Sequence, residues 1–311
     1  MNANGLYSGV EGYVIPGTNS GVGTGVANGV YGELGQARPG FLDFYPGALV
    51  AFSLRKLRIG YIGPAIRVRR SSDNVELDIG FDVNGNLDEK TLLGFVGSGN
   101  SGFVTTWYNQ STPLLNDAVQ TSNVNQPRIV LNGVVNKQNN KPTINFIQAN
   151  STRFILNDVN LLQTGPISVT ATLGTHGTGG SQDFFGTRVQ FNAGGWEWFY
   201  RVGPIYRFAA ISIGGTEASV STTALPIHTM FGTITGPSSS STFRLWLNNF
   251  DVRTGNQTIN PGPVSFALGY GGASGQGYMD GNFYEFIAYT SDQSNNVTGI
   301  RQEVNNYYKI Y

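Results

Sequence analysis

FVTTWYNQ at residues 103–110 opens a series of short apolar runs that continues to the C-terminal region. PRIVL (127–131), PTINFI (142–147), RFIL (153–156) and ISVTATLG (167–174) follow it at close intervals. WEWFYRV (196–202), YRFAAISIG (206–214), HTMFGTIT (228–235), FRLWLNN (243–249), VSFALGY (264–270) and NFYEFIAYT (282–290) continue the series. These runs are rich in β-branched and aromatic residues and are separated by Gly, Pro, Asn and Ser, the pattern of strands joined by turns. So many short strands in one chain predict an all-β sandwich. Asn248-Asn249, between RLWL and FDV, reads as a hairpin turn.

Outward from this region the pattern is more mixed. In PAIRVRR (64–70) Ile66 and Val68 alternate with arginines, and in VELDIGF (75–81) Val75, Leu77 and Ile79 alternate with polar residues. Both read as half-exposed strands. LDEKTLLGFVG (87–97) predicts a short helix with Asp88 as N-cap and Leu92, Leu93, Phe95 and Val96 on its buried face. ALVAFSLRKL (48–57) carries Leu49, Phe52, Leu54 and Leu57 at mixed spacing and is assigned as a helix ending before Gly60. Near the C-terminus Val297, Ile300, Val304 and Tyr307 follow helical spacing, so one amphipathic helix is expected on the sandwich edge.

Residues 1–44 differ from the rest. GTNSGVGTGVANGVYGELG (17–35) has a glycine every few residues and cannot build a core alone. It is either a flexible leader or an extended arm that orders on a partner subunit. Val14, Ile15, Val22, Val26, Val30, Tyr31 and Leu34 favour the arm. The chain is therefore divided into a Gly-rich arm, 1–44, and a sandwich, 45–311.

Composition narrows the function. Formal net charge is zero, and no basic stripe stands out beyond Arg67, Arg69 and Arg70, which speaks against nucleic acid or an anionic membrane surface as partner. No apolar run approaches the ~20 residues that span a bilayer, so no membrane insertion is expected. With no cysteine there is no disulfide framework and no thiolate metal site. The two histidines, His176 and His228, are far apart and are read as structural. No cofactor is expected. Asp73-Asn74 and the run Asp82/Asn84/Asn86/Asp88 hold oxygen ligands suited to Ca²⁺, but DVNGNLDE (82–89) lacks the full EF-hand loop and reads better as a β-turn. The start MNANGLYSGV has no signal-peptide pattern. The chain is expected either in the cytoplasm or outside by another route, such as a virus particle released by lysis.

Several segments in order resemble the catalytic domain of arabinofuranosidase-B-type α-L-arabinofuranosidases. They are GALVAFSLRKL (47–57), VTTWYNQS (104–111), DFFG (183–186), GGWEWFYRVG (194–203), LGYGG (268–272) and GNFYEFIAYTSDQ (281–293). The resemblance covers roughly residues 45–311 and implies a concanavalin A-like, jelly-roll β-sandwich. It also implies a retaining glycosidase site, which needs two carboxyl groups close together. Glu197 matches the family's nucleophile, though an outward place on an alternating strand explains it slightly better. The family's acid/base aspartate falls on Ala273, which cannot move a proton. Asp280, seven residues on, is the remaining acid candidate, and a turn residue in Met-Asp-Gly-Asn otherwise. Asn109 stands where the family has aspartate, and Ser181 and Gln182 stand where it has adjacent cysteines.

Two classes of function follow from this, with a third beside them. The first is a non-catalytic virion surface protein, a phage fibre, decoration or receptor-binding subunit. Its partners would be a glycan or cell-surface polysaccharide and, through residues 1–44, other virion subunits, with a homo-oligomer expected. Trp107, Asn109, Trp196, Trp198, Tyr200 and Trp246 are its candidate sugar contacts. The second is an active α-L-arabinofuranosidase with Glu197 as nucleophile and Asp280 as displaced acid. The third is a purely structural virion subunit.

Overall fold

The computed structural model describes residues 39–112, 116–156, 165–175, 182–186, 196–201, 205–210, 218–221, 227–236, 238–259, 266–271 and 277–311. For 175, 196–201, 205–210, 218–221, 238–240 and 251–259 the backbone alone is described. The described chain begins with α1 (Phe41–Phe44) and β1 (Ala48–Ser53). β2 (Ile66–Arg70) and β3 (Glu76–Ile79) form a hairpin, α2 (Glu89–Val96) follows, and β4 (Gly102–Trp107) returns beside β2. Short strands come next: β5 (Ala118–Val119), β6 (Arg128–Leu131), β7 (Val134–Val135), β8 (Lys137–Gln138) and β9 (Lys141–Pro142). Then come β10 (Ile144–Phe146), β11 (Phe154–Leu156), β12 (Ile167–Thr175) and β13 (Gln182–Gly186). β14 (Trp196–Arg201), β15 (Ile205–Ala210) and β16 (Ala218–Ser221) make a meander. β17 (His228–Ile234), β18 (Ser238–Leu247) and β19 (Phe250–Ile259) make another. β20 (Phe266–Leu268), β21 (Gly281–Tyr289) and α3 (Val297–Tyr308) close the chain.

These strands pair antiparallel into two layers of a sandwich. In the first layer β19, β18, β17, β12 and β21 are successive neighbours, and β1 and β10 share the far edge of β21. In the second, β16, β15, β14, β13, β20, β11 and β5 are successive neighbours. β4 joins them, pairing β5 on the way to one layer and β6, hence β10, on the way to the other. The main core lies between the layers. Val169, Ala171, Leu173 and Met230 meet Phe185, Phe266 and Leu268 there, all fully or nearly fully buried. A second cluster lies on the outer face of the first layer, where Phe231, Ile287 and Tyr289 are covered by Phe41 of α1 and by Ile300, Val304 and Tyr308 of α3.

β21 is buried on both faces, which is why apolar residues follow one another along it in place of a strict apolar–polar alternation. Its pairing with β12 slips between Thr172 and Leu173: Glu285 opposes Thr172, and Phe283 opposes Leu173. The extra residue is Tyr284, and such a bulge changes the side-chain phase along the strand. Phe283, Phe286 and Ala288 therefore point to the inter-layer core, while Tyr284, Ile287 and Tyr289 join the cluster under α3.

The same two-sided burial accounts for one misreading. Residues 48–57 are not a helix: Ala48–Ser53 is strand β1, paired with β21. Val50 and Phe52 enter one cluster, and Ala48 and Ala51 the other, with a register shift between Ala48 and Val50. Apolar side chains on both faces imitate the spacing of a helix. Residues 41–44, assigned to the arm, instead form α1, with Phe41 and Leu42 buried and Leu42 N–H donating to Leu57 O at 2.7 Å. The arm's remaining candidate apolar residues lie outside the described residues. The C-terminal helix buries Ile300, Val304 and Tyr308, with Val297 and Tyr307 packed partly against them. The hairpin at Asn248-Asn249 is as expected: Leu247 opposes Phe250, and Asn248 has φ 53°, a conformation Asn tolerates.

α2 starts at its expected cap. The Asp88 carboxylate accepts the Thr91 N–H at 3.0 Å and the Thr91 hydroxyl at 2.6 Å. The hydroxyl's bond first, and the N–H's second, hold that carboxyl below the usual aspartate range. Asp88→Ala is expected to lower the unfolding free energy by about 1 kcal/mol at pH 7. Because the folded-state pKa is depressed, the cap contributes fully above the ordinary aspartate range and fades as pH falls through it. In urea melts the gap between wild type and Asp88→Ala should therefore shrink from pH 7 to pH 3.

Candidate functional site

The expected sugar contacts divide sharply. Trp107 is fully buried, with its ring centroid 5.8 Å from Phe52, 6.2 Å from Phe154 and 6.0 Å from Phe283. It is a core ring and cannot face a ligand. Trp246 is likewise buried, 5.4 Å from Phe231 under the helix-covered face. Asn109 is a structural latch: its Oδ1 accepts the N–H of Ala51 at 2.8 Å and of Ser111 at 3.0 Å. Gln110 works the same way, accepting Leu57 N–H at 2.8 Å and donating to Ser53 O and Arg55 O at 3.0 Å each. WYNQS thus ties the chain after β4 to β1, and these amides are consumed by backbone groups. Burial raises the pKa of Asp117, which accepts the Asn109 N–H at 2.9 Å.

Trp196, Glu197, Trp198 and Tyr200 all lie on β14, inside the second layer. Glu197 stands opposite Gly186 of β13 and Ala209 of β15, and Trp198 opposite Phe185 and Phe208. Tyr200 stands opposite Gln182 and Tyr206, and Trp196 opposite Ala210. The side chains of these four, and the whole of Ala273, lie outside the described residues.

Asp280 is described, and it reaches the same strip of sheet from the other side. On the edge of β13 away from β14, Asp183 N–H donates to Gly277 O at 3.0 Å, and Asp183 forms a parallel bridge with Tyr278. The Asp280 N–H donates to the Gln182 side chain at 3.1 Å. Gly269 holds the same segment, donating to Phe184 O at 2.6 Å and accepting from Met279 at 3.0 Å. Its φ of +80° and the Phe146 ring beside it leave no room for a larger residue. β13 thus stands between the two segments, but they meet it at different points: Glu197 opposes Gly186, whereas the contacts of 277–280 fall at Gln182 and Asp183, three to four residues away along the strand.

Beside Asp280 the structure shows a cluster that sequence reasoning missed. Tyr270 and Tyr278 stack at 4.6 Å between centroids with 17° between planes. The Arg153 guanidinium lies 5.6 Å from the Tyr278 centroid. Asp183, within β13, is fully buried. Burial first, then Tyr278 and Asp183, raise the pKa of Tyr270, and Arg153 partly offsets this. The two tyrosines are eight residues apart around a Gly-rich stretch, a faint signal. Nothing in the sequence links either to Arg153, more than a hundred residues upstream.

The oxygen-rich turn serves the fold. Asp82 Oδ1 accepts the N–H groups of Asn84 and Asn86 at 2.9 Å each, and Asn86 Oδ1 accepts the Tyr307 hydroxyl at 2.7 Å. Asp73 faces Arg70 with both oxygens, at 2.8 and 2.6 Å. Among the described residues no group of three or more His, Cys, Asp or Glu gathers to hold a metal. No described helix is long and apolar enough to cross a membrane.

No family model and no curated protein matches the chain. Solved structures do. A GH54 α-L-arabinofuranosidase soaked with a cyclic sulfate inhibitor superposes with a TM-score of 0.62 at 16% identity, over 83% of this chain and 62% of that one. An arabinofuranosidase complexed with arabinofuranosyl-α-1,2-xylobiose gives 0.61 at 17% identity with the same coverage. A mutant GH54 enzyme soaked with 4-nitrophenyl α-L-arabinofuranoside gives 0.63 at 15%. The chain therefore spans 62% of the length of these proteins and has their sandwich fold.

Proposed function

We propose that this chain is a non-catalytic carbohydrate-recognition module, displayed on a virion surface as a phage fibre, decoration or receptor-binding subunit. The observation that carries the reading is a sandwich shared with arabinofuranosidases that has alanine, Ala273, where the resembled family has its acid/base. Losing a proton donor costs a factor of about 10²–10⁴ in rate, whereas sugar binding needs only aromatic faces and hydrogen-bonding groups. Tyr270, Tyr278 and Arg153 supply aromatic and hydrogen-bonding groups across β13 from β14, the strand that carries Trp196, Trp198 and Tyr200. The virion placement rests on the Gly-rich stretch 17–35, suited to anchoring on an assembly, and on the absence of cysteine. In that setting residues 1–44 would contact other subunits of a homo-oligomer.

A retaining arabinofuranosidase is the second reading, favoured by Glu197 and Asp280 flanking β13. A glycan array and an aryl arabinofuranoside, each presented to wild type and Glu197→Gln, separate the two. Binding without turnover by wild type is the expected result. Turnover that disappears in Glu197→Gln would make the chain an enzyme with an unorthodox acid. Silence in both assays would leave a purely structural subunit.

A further inference from the structure

The Arg153–Tyr278–Tyr270 cluster has a more specific chemistry than a generic sugar platform. Arg153, Tyr270 and Tyr278 are all partly exposed, so the cluster is open to a ligand. The guanidinium donates once among the described residues, from Nη1 to Ser151 O at 3.0 Å. No described carboxylate stands within ion-pair distance of it, although Asp183 is close enough to act on Tyr270. Nε and Nη2, the side-on fork of an arginine, therefore have no acceptor among the described residues. That fork matches the two oxygens of a carboxylate. The Tyr278 ring holds the guanidinium from one side, which limits the rotamer freedom lost on binding. The Tyr278 hydroxyl also has no hydrogen-bond partner among the described residues, so it can bond a sugar hydroxyl.

Two carboxylates lie near and shape the field. Asp183 is fully buried in β13, and Asp280 is half-buried two residues beyond Tyr278. Neither forms an ion pair with Arg153, so the positive charge of the cluster is at the guanidinium end. We propose that this cluster is a subsite for a carboxylated sugar unit, a uronic or similar acidic residue of a polysaccharide, with Arg153 gripping the carboxylate and the Tyr278 hydroxyl bonding a neighbouring hydroxyl of the ring. The inference rests on the glycan-binding reading above and names its ligand class.

The test uses the full chain and a matched panel: galacturonides, glucuronides and sialosides, each beside its methyl ester, with sulfated oligosaccharides of equal charge. At least one acid should bind about tenfold or more tighter than its ester, as a charge-assisted fork predicts. Arg153→Gln should bring the acid down to the level of the ester while leaving ester binding intact, which also shows that the variant is folded. Arg153→Lys should restore only part of the preference, since a point charge lacks the fork. Esters bound as tightly as acids throughout would overturn the subsite and leave the glycan-binding reading standing. An acid preference that survives Arg153→Gln, or sulfated glycans bound as tightly as carboxylated ones, would overturn it too. No binding to any glycan would overturn both.

Discussion

Replacing Glu285 by glutamine is expected to lower the unfolding free energy by about 3 kcal/mol, because it leaves the buried Arg55 guanidinium with only the longer, half-buried contact to Glu303. Glu285 is 1% exposed and Arg55 6%. Arg55 grips the carboxylate with Nε at 2.8 Å from Oε2 and Nη2 at 3.0 Å from Oε1. Oε2 also accepts the Ser53 hydroxyl at 2.8 Å and the Tyr308 hydroxyl at 3.2 Å. Nη1 reaches Glu303 of α3 at 3.4 Å, and the rings of Phe41, Tyr307 and Tyr308 surround the guanidinium. One ion pair thus ties β21 and the chain after β1 to α1 and α3. Burial alone would lower the Arg55 pKa, but the charge and hydrogen bonds of Glu285 outweigh it and push it up. Glutamine cannot neutralise that guanidinium. In thermal melts the midpoint should fall on the order of 10 °C. The double variant Arg55→Met/Glu285→Leu should recover most of the loss, since it removes both desolvated charges. A Glu285→Gln protein within about 0.5 kcal/mol of wild type would mean that the pair is hydrated, and the buried-pair description would be wrong.

Trp107→Ala should cost about 3–5 kcal/mol through the cavity it opens among Phe52, Phe154 and Phe283. Trp107→Phe should cost clearly less. Phenylalanine keeps much of the volume, and it removes a buried indole N–H that has no acceptor among the described residues. The affinity of the folded fraction for any glycan should be the same in all three proteins. A loss of affinity at unchanged stability would contradict the core assignment and return Trp107 to the ligand face. The site cluster near Tyr278 should be indifferent to this change, since its rings pack with each other and with Arg153.

The site was far less legible than the fold, and the reason is chemical. Aromatic residues suit both a sandwich core and a sugar platform, so composition alone cannot separate Trp107 from Tyr278. Asn109 and Gln110 look like ligand-binding amides, yet each is spent on backbone groups of residues more than fifty positions upstream. Arg153 looks like the start of an ordinary strand until the chain brings the segment 277–280 back to β13.

Local chemistry accounts for the elements that can be read along the chain. The strands from residue 103 onward, the Asp88 cap, the Asn248-Asn249 hairpin and the amphipathic C-terminal helix all follow from side-chain period and turn residues within a few positions. Tertiary structure decided whatever depends on a second face. β1 is a strand because β21 pairs with it and both of its faces find a core. Glu285 is tolerable at the centre of β21 because a bulge in the pairing with β12 turns the phase, and Arg55 stands where it points. The Arg153–Tyr278–Tyr270 cluster exists because β11 and β13 both pair with β20, which brings Arg153, just before β11, to Tyr270, just after β20, and to Tyr278, bridged to β13. A period along the chain records which residues share a face, but the face's occupant is set by segments far away, and only their packing reveals it.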